Sequence, residues 1–208
     1  IAKNDNYGLF NLEYITDNNL LIQPNFNLIN CTFQNFYPLN HKGFLSFISM
    51  APISGNAIID SIIFINNLFS TGLIYYSKFE FDPIYSGFSM DPYLKKLNQS
   101  IIIKNTSILD YNKYQLVTDM SFNLMNLYNF NGDIKILESN LEKISNLNSI
   151  FNVIQIDYLE FNNVLMRNIN NSKILISSSS LKLNLFNITL DLIKSRNSLF
   201  FLDSIKNL

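Results

Sequence analysis

The sequence predicts an all-β chain, a parallel β-helix type of solenoid with coils of about 24 residues. Three observations lead there. Asparagine supplies 33 of the 208 residues, against three alanines and three valines. It is a poor helix former, is depleted in strands and favours turns and caps. Short apolar runs recur between the asparagines. The last third of the chain also overlays on itself. Segments opening at Asp133, Asp157 and Leu181 are each 24 residues long. Each starts on alternating apolar positions, passes an asparagine and closes on a second apolar run, as a strand–corner–strand unit would.

The same opening is found upstream. Phe26-Asn-Leu-Ile-Asn30, Ile62-Ile-Phe-Ile-Asn-Asn67 and Ile101-Ile-Ile-Lys-Asn105 all place an asparagine after an apolar run. The anchors are therefore Asn30, Asn67, Asn105, Asn140, Asn163 and Asn187, at spacings of 37, 38, 35, 23 and 24. The longer spacings are one unit plus a loop, which leaves 133–208 as the most regular coils. Coils stack at about 4.8 Å, so equivalent side chains form columns. An asparagine repeated at one corner and pointing inward would donate its amide to the next one. Such a ladder contributes about 1 kcal/mol net per bond.

Two other architectures compete. Leu137, Leu141, Ile144, Leu147, Phe151 and Ile154 follow a helical rhythm, and Ser139 with Glu142 matches a capping box. Against a helix, the stretch holds Asn140, Asn146, Asn148 and Asn152 and no alanine. Helix and strand both stay open over 137–154. A leucine-rich repeat has a similar unit, but Asn140 follows Ile136 by four positions rather than three.

The units Ile101-IIKNTSIL, Ile134-KILESNLEKI and Leu181-KLNLFNITLDL resemble coils of right-handed parallel β-helix proteins of the pectin-lyase-like class. The resemblance covers residues 22–208 and implies that class's fold, known for asparagine ladders at a turn. It implies two broad uses, polysaccharide-cleaving enzymes and non-catalytic surface or adhesion proteins. The chain begins at Ile1, and we read 1–208 as one β-helix segment of a longer protein.

Composition narrows the function. Fifteen Lys+Arg balance sixteen Asp+Glu, which excludes a basic nucleic-acid binder. No run of 18 apolar residues exists to form a membrane span. Cys31 is the only cysteine and His41 the only histidine, so neither a disulfide framework nor a Cys–His zinc site can form within this segment. Cys31 reads as a small apolar residue beside the first anchor, and His41 as part of a polar turn. The acids are scattered singly. Asp133 and Asp157, 24 apart, read as solvated corner residues rather than a catalytic pair. No glycine-rich phosphate loop is present, and no cofactor is expected.

These features favour a non-catalytic structural or adhesion module of a large extracellular or surface protein. Its partners would be other segments of that protein or neighbouring subunits. A carbohydrate-active enzyme of the same fold and a structural subunit of an intracellular or organellar complex are the alternatives. The excursion over 81–98 reads as a projecting contact loop carrying Asp82, Tyr85, Asp91, Tyr93, Lys95 and Lys96. Five N-x-S/T sequons occur, at Asn30, Asn98, Asn105, Asn170 and Asn187, where composition alone gives about four. Three coincide with ladder anchors expected to point inward. Asn98 and Asn170 are therefore the expected glycan acceptors.

Overall fold

A computed structural model describes residues 8–12, 15–17, 20–22, 25–36, 46–50, 56–67, 72–77, 99–111, 123–128, 132–145 and 149–202. Every regular element among them is a strand. In chain order these are β1 (Gly8–Leu12), β2 (Ile15–Asp17), β3 (Leu20–Ile22), β4 (Asn25–Ile29), β5 (Thr32–Gln34) and β6 (Ser46–Met50). There follow β7 (Asn56–Asp60), β8 (Ile63–Ile65), β9 (Gly72–Ser77), β10 (Gln99–Lys104), β11 (Ser107–Leu109) and β12 (Asn123–Tyr128). The last five are β13 (Gly132–Leu137), β14 (Asn140–Glu142), β15 (Ser149–Arg167), β16 (Asn170–Asp191) and β17 (Lys194–Leu202).

Strands β2 and β3 pair antiparallel, and all the other strand pairs are parallel. The parallel strands fall into three stacks. The first runs through β1, β6, β9, β12, then 149–154 of β15, 174–178 of β16 and 198–202 of β17. The second runs through β4, β7, β10, β13, 158–162 of β15 and 182–186 of β16. The third runs through β5, β8, β11, β14, 165–167 of β15 and 189–191 of β16. Each pass of the chain visits the stacks in that order. Strands β15 and β16 are 19 and 22 residues long because pairing continues through the bends between stacks.

The helical alternative over 137–154 is settled for strand by β13, β14, the Ser145 bridge and the start of β15. Asn140 opens β14 and Asn152 lies within β15, and of the apolar rhythm Leu141, Ile144 and Phe151 are buried while Leu137 lies on the outside. The register also corrects the repeat. Asp133 aligns with Tyr158 and Tyr158 with Lys182, so these units are 25 and 24 residues long. Asp157 is thus one residue out of step with Asp133.

Burial follows the strand alternation. Along β13 the inward Ile134 and Ile136 are buried, while Asp133, Lys135 and Leu137 are half-buried on the outside. Inward side chains stack on their equivalents in neighbouring passes. One column holds Leu28, Ile59, Ile103, Ile136, Phe161 and Leu185. Phe33 stacks on Phe64 at 5.6 Å between centroids, and Phe161 meets Phe151 edge-on at 4.9 Å. Burying each such side chain contributes about 1.5–3 kcal/mol.

Candidate functional site: the corner columns and the outer face

A strand that must turn sharply and keep pairing needs a local change of backbone handedness. Twelve non-glycine residues among those described have positive φ, all between 47° and 59°. They form two columns. Asn30, Ser61, Asn105, Glu138, Asn163 and Asn187 sit between the second and third stacks. Asn35, Asn66, Asp110, Lys143, Asn168 and Leu192 follow the third stack, each five residues after its counterpart. Left-handed backbone costs an ordinary residue about 1–2 kcal/mol, and asparagine tolerates it best after glycine. Seven of the twelve are asparagine. The excess of asparagine thus has a backbone cause here.

The corner backbone pairs between passes. Asn30 N–H donates to the Asp60 carbonyl at 3.1 Å, Asn105 N–H to Leu137 at 3.2 Å and Glu138 N–H to Asn162 at 2.8 Å. At the second corner, Asn66 N–H donates to Leu109 at 3.0 Å and Lys143 N–H to Arg167 at 3.1 Å. The residue after the first corner points inward. That column reads Cys31, Ile62, Thr106, Ser139, Val164 and Ile188. Cys31 is partly buried against the core, as an apolar residue would be. The buried hydroxyls fold back on their own chain: Thr106 donates to the Lys104 carbonyl at 2.9 Å and Ser139 to that of Leu137 at 2.7 Å.

The anchor residues need correction. Asn30, Asn105, Asn163 and Asn187 share one column, but their side chains are exposed rather than inward. In the left-handed conformation the inward place passes to the following residue. The ladder exists on the outside: the Asn187 amide donates to Asn163 Oδ1. Asn105 Nδ2 donates instead to Asp60 Oδ1 at 3.0 Å. The places assigned to Asn67 and Asn140 belong to Ser61 and Glu138. Asn67 is buried just after the second corner, where it donates to the Phe33 carbonyl and accepts from Phe36 N–H, both at 2.9 Å. Asn140 opens β14 beside buried Leu141, and its Oδ1 reaches no partner among the described residues.

A search for asparagine after an apolar run meets the second corner column at Asn66 but takes the neighbouring Asn67 as a member of the first. The second column's signal is the fixed interval of five, as in Asn30…Asn35 and Asn163…Asn168. A further ladder runs on the outer face of the second stack. There Asn56 donates to Asn25 Oδ1 at 3.3 Å, and Ser100 donates to Asn56 Oδ1 at 3.1 Å.

The outer face also carries ion pairs between adjacent passes: Lys104–Asp60 at 3.0 Å, Lys143–Asp110 at 3.5 Å and Arg167–Asp191 at 3.0 Å. Hydrogen bonds from Asn105 and then Lys104 hold the Asp60 carboxyl below the ordinary aspartate range. Tyr158 gathers several contacts on the outer face. Its hydroxyl donates to Glu160 Oε2 and accepts from Asn184 Nδ2, both at 2.9 Å. Lys135 and Lys182 place their ammonium groups 5.7 and 5.4 Å from its ring centroid. Partial burial, then the bond to Glu160, raises its pKa. Asp157 is also raised, by desolvation and then by the charge of Asp133. These groups bind one another on an outer face that also exposes Ile29, Ile63 and Phe186.

Of the remaining sequence expectations, Asn170 is exposed, next to a backbone bond from its N–H to the Ile144 carbonyl at 2.9 Å. Asn98, His41 and the loop residues Asp82, Tyr85, Asp91, Tyr93, Lys95 and Lys96 lie outside the described residues. No helix among the described residues is long and apolar enough to cross a membrane. No protein-family model, no curated protein and no solved structure matches the chain.

Proposed function

We propose that the chain is a segment of a right-handed parallel β-helix of the pectin-lyase-like type. It serves as a non-catalytic structural or adhesion module in a large extracellular or surface protein. One observation carries this reading. The corner interval stays at five residues in six successive passes, while the distance from one pass to the next varies between 24 and 44. Insertions change the length of a pass without changing how it stacks, as expected of a scaffold whose stability is a sum of neighbour contacts. The outer groups described above spend their hydrogen bonds and charges on adjacent passes, which favours a rigid spacer over a reactive cleft.

Two assays test it. Hydrogen exchange on the full chain is expected to show slow amides spread from β7 through β15, the pattern of a continuous stack. Fast exchange throughout that span would contradict the architecture. Incubation with acidic polysaccharides and Ca²⁺ is expected to release no new chain ends, and release would favour the enzyme reading.

A further inference from the structure

The first corner column brings together two features that the sequence treats separately. Asn30, Asn105 and Asn187 each open an N-x-S/T sequon, and they occupy one left-handed corner position in three different passes. Their side chains are exposed, so the expectation that they point inward no longer excludes them as acceptors. We propose that this corner is a glycosylated edge, with N-linked glycans on Asn30, Asn105 and Asn187.

The hydroxyl residues support it. Four residues of this column are asparagine, and the second residue after three of them is Thr32, Ser107 or Thr189. At the fourth, Asn163, that residue is Leu165. At the two places without asparagine, Ser61 and Glu138, it is Ile63 and Asn140. The other corner column has three asparagines, Asn35, Asn66 and Asn168, and none is followed in this way. The need for a left-handed corner explains asparagine in both columns. It does not explain why the hydroxyl accompanies it in one column only.

The geometry tolerates the product. The acceptors lie in the first, third and sixth passes, so no two are adjacent, and the closest are roughly 10 Å apart at the spacing of stacked strands. In the transfer, the amide nitrogen attacks C1 of a polyprenyl-diphosphate-linked oligosaccharide. A C–N bond forms, the C–O bond to the diphosphate breaks, the polyprenyl diphosphate departs and the amide loses one proton. The second amide hydrogen stays, so Asn187 can still donate to Asn163 and Asn105 to Asp60.

This inference goes beyond the structural-module reading and rests on its extracellular placement. The test is peptide mass spectrometry after amidase release of N-glycans in H₂¹⁸O. It is applied to the full chain from its native source and from a secretory eukaryotic host. The expected result is ¹⁸O-labelled aspartate at positions 30, 105 and 187 in both, lost singly in Thr32→Ala, Ser107→Ala and Thr189→Ala. Modification in the host but not in native material overturns the proposal together with the surface placement. Absence from at least two of the three in both materials overturns the accessible corner. The hydrogen-exchange pattern tests the stacked architecture independently of either outcome.

Discussion

The passes over 132–170 and the last strands of the second and third stacks, 182–191, share a register but not an environment. Phe161 and Leu185 occupy the same inward column, yet Phe161 is 0% exposed and Leu185 37%. Met166 and Leu190 repeat the contrast at 0% and 36%. The difference is coverage. Strand β15 lies between described strands on both sides, whereas 182–191 meets a described strand on one side only. Side-chain direction is set by the strand alternation; Leu185 and Leu190 lose cover where one neighbour is lacking, whereas Leu183 in the same segment stays 1% exposed. In a stack the core is a property of the pair of neighbours, and no single pass owns one.

That contrast can be broken most forcefully in its own column. Phe161→Ala removes a fully buried ring that also meets Phe151, and it is expected to cost about 3–5 kcal/mol. Leu185→Ala should cost about 1 kcal/mol, because much of its apolar surface is already in water. Chemical denaturation of the two variants reads the difference. Equal losses would mean that the two positions are equally covered.

A smaller effect separates the corners from the strands. Asn163→Ala puts a poor left-handed residue at φ 54° and should cost about 1 kcal/mol. Leu192 already holds φ 53° with an exposed side chain, so Leu192→Gly should stabilise by up to about 1 kcal/mol. Opposite signs at two corners of the same stack are the outcome expected from thermal unfolding. A loss at both would assign the corners a side-chain role instead.

The smallest expected effect is on pH dependence. Asp60 titrates lower in the folded chain than in the unfolded one, chiefly through the Asn105 and Lys104 hydrogen bonds. Its contribution is present above the ordinary aspartate pKa and lost as pH falls through the folded value. Asp157 is raised, so the sign reverses: it opposes folding once ionised and ceases to do so in acid. Asp60→Asn should flatten the acid limb of the stability curve slightly, while Asp157→Asn should add a little stability at neutral pH. Asp157 is exposed and Asp60 half-buried on the outer face, so both effects on stability are expected to be small.

Much of the architecture was legible in the sequence. The apolar openings of β4, β10, β13 and 182–186 of β16 mark the second stack, because alternation and a turn residue suffice to specify a strand that enters a corner. The corner positions of Asn30, Asn105, Asn163 and Asn187 were legible for the same reason, but their outward direction was not. Asn67 and Asn140 were misplaced because an asparagine near an apolar run does not reveal which residue carries the left-handed turn. The true corner residues there, Ser61 and Glu138, have no compositional mark. The second corner was harder still, since Lys143 and Leu192 occupy a conformation their types disfavour, Lys143 with its N–H bonded to the Arg167 carbonyl of the neighbouring pass. The outer Tyr158 cluster could not be read in advance, because its members come from three passes whose alignment depends on a one-residue difference in repeat length.

The in-register stack is the central claim, and engineered disulfides test it directly. In a Cys31→Ser background, the substitution keeps the small polar type its column already holds at Ser139. Glu160 and Asn184 are register partners on the outer face of adjacent parallel strands. Paired strands bring such residues within the Cα separation a disulfide requires. Glu160→Cys with Asn184→Cys is expected to cross-link under mild oxidation. Glu160→Cys with Leu185→Cys, one residue out of step and on the opposite face, is expected not to. Equal cross-linking of the two pairs, or cross-linking of the second alone, would contradict the stacked register.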